Sequence, residues 1–230
     1  SLPHLQRAAE LFAGVENLAG EGLARLTCAE QMSRLGLHGE SLPYWERTLQ
    51  IFTELEDGAR QARTELGWAV SLAALDLGDQ SVEHYRRAAE CYQSAGDSAG
   101  EALAHGGAAR VLTSVDSPEG LGHWARAVEL LSGANNRPAE ASGRLGWAVA
   151  HGQLNQHSEA LEQFRIAADL FSASDDRTAE GHAEVGCATM CRRLDLPDQS
   201  VVHYQRAAAA FAAVADSLNE GRVHLHWAEV

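Results

Sequence analysis

Hydrophobic and polar positions along the chain fall into columns that recur at a fixed interval, and the stretch from Ala62 to Glu101 shows the unit most clearly. In its first half Leu66, Val70 and Ala73 lie at helical spacing, as do Trp68, Ala69 and Leu72. In its second half Tyr85, Ala88, Ala89 and Tyr92 form a stripe at i, i+3, i+4 and i+7. Each half predicts one amphipathic helix. Alanine recurs at Ala29, Ala69, Ala109, Ala148, Ala188 and Ala228, in steps of 40, 40, 39, 40 and 40. Three further columns keep this register. One is Leu5, Trp45, Tyr85, Trp124, Phe164 and Tyr204; a second is Ala8, Thr48, Ala88, Ala127, Ala167 and Ala207; a third is Phe12, Phe52, Tyr92, Leu131, Phe171 and Phe211. Large residues therefore alternate with small ones, as closely approaching helices require. Trp68 and Trp147, in the column just before the alanines, are expected to be buried between paired helices.

The polar punctuation has the same period. Asn17, Asp57, Asp97, Asn136, Asp176 and Asp216 occupy one column, followed four residues later by Glu21, Gln61, Glu101, Glu140, Glu180 and Glu220. Side-chain oxygens at the start of a helix accept from its free amides, and acidic groups there complement its dipole. Leu77-Gly78-Asp79 and Leu196-Pro197-Asp198 are expected to break the chain between paired helices. The third repeat is one residue short, which places a shortened turn near Asp116 to Gly120.

These columns resemble the tetratricopeptide repeat family in its long form of about 40 residues. Leu35-Gly36 with Trp45 and Thr48, and Asn155 with Ala160, Phe164 and Ala167, carry the likeness, which extends over essentially the whole chain. It implies an all-α fold: a right-handed α-α superhelix, or solenoid, of about five helix-turn-helix repeats. The expected organisation is one domain over 1–230. Residues 1–21 would be the second helix of a partial repeat, followed by full repeats at 22–61, 62–101, 102–140, 141–180 and 181–220. Residues 221–230 would start a further first helix. Neither end resembles the polar capping helix that closes a solenoid, so the chain is expected to be a segment of a larger protein, or to self-associate through terminal stripes such as Leu5, Ala8 and Phe12.

Charge narrows the partner. The formal net charge is −14, and all 18 basic residues are arginine. So acidic a chain is not expected to bind nucleic-acid phosphate directly. No apolar run approaches the roughly 20 residues needed to span a bilayer, and no membrane partner is expected. Cys28, Cys91, Cys187 and Cys191 read as small hydrophobic residues in a reducing compartment, which points to the cytoplasm. Neither an HExxH pattern nor paired CxxC motifs are present, and a chain without lysine cannot carry a GxxxxGK[ST] phosphate loop. No metal, cofactor or catalytic constellation is therefore expected. The glycines of Gly106-Gly107 and Gly143-x-x-Gly146 read as points of close helix packing. His4, His84, His123 and His203 recur as partly exposed packing residues, each followed at i+3 by Arg7, Arg87, Arg126 or Arg206.

In the tetratricopeptide family the first helices line a concave groove. Carried over by position, that groove would include Arg34, Arg63, Arg110, Gln153, His182, Arg192 and Arg193, a basic or neutral set on an acidic chain. Acidic residues gather instead at the repeat junctions, as at Glu54, Glu56, Asp57, Asp175, Asp176 and Asp216. Planar guanidinium groups suit carboxylates. The functional expectation is a non-enzymatic protein-interaction module that takes a peptide or helix, of acidic character, in the groove. The alternative is a sensor arm in a multidomain bacterial signalling or transcriptional regulator.

Overall fold

The computed structural model describes residues 1–228, and every regular element among them is an α-helix. The expected start of a further helix at 221–230 thus has its last two residues outside the described range. The chain gathers into two compact units, divided between Leu112 and Thr113. The first unit holds α1 (Leu2–Gly14), α2 (Leu18–Arg34), α3 (His38–Glu54), α4 (Gly58–Ala74), α5 (Gly78–Ala95) and nearly all of α6 (Ser98–Ser114). The second holds α7 (Glu119–Gly133), α8 (Arg137–Gln153), α9 (His157–Ala173), α10 (Arg177–Arg193), α11 (Pro197–Ala213) and α12 (Ser217–Trp227). Within each unit successive helices pack against one another, and α2 lies beside α4 as α8 lies beside α10.

Helix starts follow the Asx column. Asn17, Asp57, Asp97, Asn136, Asp176 and Asp216 each accept a hydrogen bond from the backbone N–H three residues on, at 2.9, 3.0, 2.9, 3.4, 3.0 and 3.1 Å. The breaks themselves differ from expectation. Gly78 and Pro197 are the first residues of α5 and α11, where proline's fixed φ and missing N–H are tolerated. The chain turns two residues earlier, at Asp76 and Asp195, both near φ 58°. Left-handed residues also mark the other connections, with Glu16, Glu56, Asp116, Asn135, Asn155, Asp175 and Ala215 joined by Gly36 and Gly96. The short third repeat differs from expectation: its connection, 115–118, is one residue longer than 75–77, and the loss falls in α7, which starts only at Glu119.

The core of each unit is built from rings seated on glycines. Trp45 and Tyr85, each 1% exposed, and the 6%-exposed Phe164 come from second helices of the pairs. Each of these rings, with that of Trp124, covers a glycine of the next first helix, 22 residues downstream: Gly67, Gly107, Gly186 and Gly146 respectively. A β-carbon at any of the four would collide with the ring. The alanine column flanks these seats, with Ala29, Ala69, Ala109, Ala148 and Ala188 all fully enclosed. Trp68 and Trp147 depart from expectation, being only half-buried. Trp68 stacks on the His84 imidazole with 4.2 Å between ring centres, and Trp147 tilts over His151 at 5.5 Å. In their column the fully enclosed residues are small, namely Cys28, Ala108 and Cys187. The seam beside an alanine is too narrow for an indole, so the ring lies across its edge.

Among the acidic groups buried in the first unit, Glu21 is held by two arginines. Glu21, 3% exposed, holds Arg25 at 2.7 Å and Arg47 of the next helix at 3.2 Å. Burial alone would raise its pKa, but the hydrogen bonds and charges of Arg47 and Arg25 outweigh burial and hold the carboxyl below its usual range.

Two outcomes are expected. Gly186→Ala should destabilise the protein even though alanine gains roughly 0.5–1 kcal/mol over glycine inside a helix, because overpacking costs roughly 1–3 kcal/mol. Gly122→Ala, in α7 with nothing near its added carbon, should stabilise it; urea unfolding of the two variants checks the opposite signs. Because Glu21 has a depressed folded pKa, its contribution is present above the ordinary carboxylate range and is lost as pH falls through the folded value. The penalty of Arg47→Ala should therefore shrink on acidification, as measured by denaturation midpoints at neutral and acid pH.

Candidate functional site

First helices bury the face that carries alanine and glycine and leave the opposite stripe open. In the first unit this stripe holds Arg34 on α2, Arg63 on α4 and Arg110 on α6, all exposed. Arg63 reaches across to α2 and meets Glu30 with two hydrogen bonds, Nε at 2.6 Å and Nη2 at 2.8 Å from its carboxylate oxygens. Arg110 lies near the Tyr85 phenol, where burial pushes the phenol up and the guanidinium charge opposes it. The second unit places Gln153 on α8 and His182, Arg192 and Arg193 on α10, again exposed. His182 meets the edge of Phe211 at 5.2 Å. Arg34, Arg192 and Arg193 fall in the last turns of their helices, where a cation complements the dipole.

Two features of this face escape a reading based on charge. Leu23 and Leu103 occupy the same register as Arg63, and Leu103 is 64% exposed. Val70 and Val149 share the register of Glu30 and Arg110 and are also exposed. The stripe is therefore mixed, with apolar side chains set among arginines. The hydrophobic columns could have revealed Leu23, Leu103 and Val149, which lie outside them, whereas Val70 is spaced helically with Leu66 and Ala73 and is nonetheless exposed.

The histidine column is more enclosed than expected at one place, and two of its members meet a carboxylate. His203 is buried, and its Nδ1 lies 2.5 Å from Glu184 Oε2. His84 is half-buried, with Nδ1 at the same distance from Glu65 Oε2. In both cases the carboxylate sits on the first helix of a pair, 19 residues before the histidine on the second. The same register holds Arg144 and Gln163, hydrogen-bonded at 2.9 Å. These rungs tie paired helices together, and their polar identities vary while their spacing does not. His4, by contrast, is exposed, and His123 is half-buried. Burial pushes the His123 imidazole down, opposed by Glu119.

The paired helices, their Asx starts and their small-residue seams define an all-α helical-repeat array of the tetratricopeptide type. The chain belongs to the soluble NSF attachment protein (SNAP) family, whose profile matches residues 74–225. Among solved structures, BtubC (BKLC) from P. vanneervenii is similar at 13% identity and TM-score 0.76, over 93% of this chain and 91% of that one. The apo form of RapI is similar at 11% identity and TM-score 0.78, over 95% of this chain and 62% of that one. YrrB, described as a TPR protein with an unusual peptide-binding site, is similar at 15% identity and TM-score 0.66, over 97% of this chain and all of that one. At such identities the likeness is one of fold. No curated protein sequence matches the chain.

The Arg63–Glu30 pair has good geometry but lies in water on the arginine side. A double-mutant cycle with Arg63→Ala and Glu30→Ala should give a coupling of roughly 0.2–1 kcal/mol, as for exposed pairs generally. A coupling several times larger would show that this pair, and with it the face, is organised for stability.

Proposed function

We propose that the chain is a non-enzymatic protein-interaction module whose exposed first-helix face holds a partner peptide or helix bearing carboxylates. The observation that carries this reading is the mixture on one stripe of the first unit: Leu23, Val70 and Leu103 stand in solvent beside Arg34, Arg63 and Arg110. Apolar side chains exposed in register offer anchoring contacts, and the guanidinium groups offer paired donors to carboxylates. Exposed arginines contribute little to stability, so recognition gives their placement a use. The peptide-binding site that YrrB's description records, on a similar fold, supports the same reading. Gln153, His182, Arg192 and Arg193 form the corresponding set in the second unit.

The test is selection of binders from a displayed peptide library on the intact chain, followed by fluorescence anisotropy with the selected sequence. Selected peptides should be rich in Asp or Glu and contain apolar residues, and binding should weaken as salt rises. Arg63→Glu combined with Arg110→Glu should reduce affinity at least about tenfold, since a hydrogen bond to a charged group contributes roughly 1.5–3 kcal/mol. Leu103→Ser should also weaken binding while leaving the fold intact. Arg192→Ala with Arg193→Ala tests the second set. Unchanged affinity in all of these variants would remove the face from the reading.

A further inference from the structure

The hairpin of α10 and α11 brings together three side chains that serve the packing and whose combination also carries metal-ligand chemistry. Glu184 and Cys187 lie three residues apart on α10, on one helical face, and His203 faces them from α11. All three are buried, and one ligand-type atom from each lies within 4.8 Å of the others. Ser200 fixes the start of α11 against α10 by donating to the Ala188 carbonyl at 3.0 Å. Tyr204 and Ala207 then pack against Ala188, which fixes the position of His203 along α11.

A comparison inside the molecule separates scaffold from chemistry. Glu65 and His84 repeat the carboxylate–imidazole contact at the same 2.5 Å. There the position of Cys187 is taken by Trp68, whose indole stacks on the imidazole. The Glu–His contact is thus a packing device shared by these two hairpins, and of the two the α10–α11 hairpin adds a thiol to it.

We infer that Glu184, Cys187 and His203 form a binding site for a divalent transition-metal ion of the zinc class. Sulfur, imidazole nitrogen and carboxylate oxygen are a borderline-soft donor set that favours such an ion over magnesium or calcium. Metal–ligand bonds of about 2.0–2.3 Å place tetrahedral donors roughly 3.3–3.7 Å apart. For an ion to enter, the short His203–Glu184 contact opens by about one ångström, and the Cys187 sulfur, within 4.8 Å of both partners, settles to the same spacing. On binding, the Cys187 proton leaves to solvent. The thiolate and the Glu184 carboxylate then balance the two positive charges of the ion in a site with almost no water. Without an ion the thiol stays protonated, because burial pushes it far up, with the Glu184 charge and Cys191 adding to the effect. Arg206, 3.7 Å from Glu184 Oε1, stands outside the donor set and orients the carboxylate.

The test uses the full chain, stripped with chelator and titrated with Co(II) under reducing conditions. One equivalent should produce thiolate-to-cobalt charge-transfer absorption with the visible bands of a tetrahedral ion. Zn(II) should displace them and raise the melting temperature until one equivalent is bound. Cys187→Ser should abolish the charge-transfer band. Glu184→Gln and His203→Gln should each weaken binding at least tenfold, while Cys28→Ser and His84→Gln should leave the spectrum unchanged. Circular dichroism checks that each variant is folded, and the wild-type spectrum decides even if one is not. Absence of a charge-transfer band with cobalt in excess overturns the assignment, as does a band that survives Cys187→Ser. Weak binding without thiolate absorption, traceable to exposed histidines such as His4 and His182, overturns it equally.

Discussion

The fold depends on an aromatic ring lying directly on backbone. Where Trp45, Tyr85, Trp124 and Phe164 meet Gly67, Gly107, Gly146 and Gly186, the absent β-carbon lets a second helix settle onto the first helix of the next pair. The ring gains burial and the helices gain close approach. Glycine costs roughly 1 kcal/mol in a helix interior, so four such positions oppose helix formation locally. They persist because the packed ring returns more than the helix gives up. Alanine columns on either side serve the same end, keeping the seam narrow enough for the ring to touch both walls.

That constraint explains why so much of the architecture is readable from the chain. A seat and a ring at fixed separation, repeated in phase with an Asx start, leave few alternatives to stacked helix pairs. The helix starts at Asn17, Asp57 and Asp216 fall where the columns place them, whereas the third repeat is shortened in α7 and not in its turn. The turns were less legible. Gly78 and Pro197 look like breakers, yet both begin helices, and the left-handed work is done by Asp76 and Asp195. Aspartate adopts that backbone more readily than most residues, but an aspartate in a polar loop announces nothing. Trp68 and Trp147 are half-buried for a related reason: hydrophobicity places a residue on a face, whereas seam width decides whether its ring fits.

The candidate surfaces were legible only in part. Arginines on first helices can be recognised from register and charge, but the contact of Arg63 with Glu30 joins residues 33 apart and needs two helices in place. Leu23 and Leu103 are apolar yet exposed, a placement that hydrophobicity alone does not signal. The cluster of Glu184, Cys187 and His203 matches no short motif, because its third donor comes from a second helix. What could have exposed it is the parallel with Glu65, Trp68 and His84, in which a single exchange turns a stacked ring into a thiol.

Packing within each unit joins helices that are adjacent or next but one along the chain. Contacts of that kind close small loops and demand little search. A helix pair can settle as soon as both its members exist, and each later pair finds its dock already formed. Assembly can therefore keep pace with synthesis, so that little apolar surface stands waiting while the polypeptide emerges.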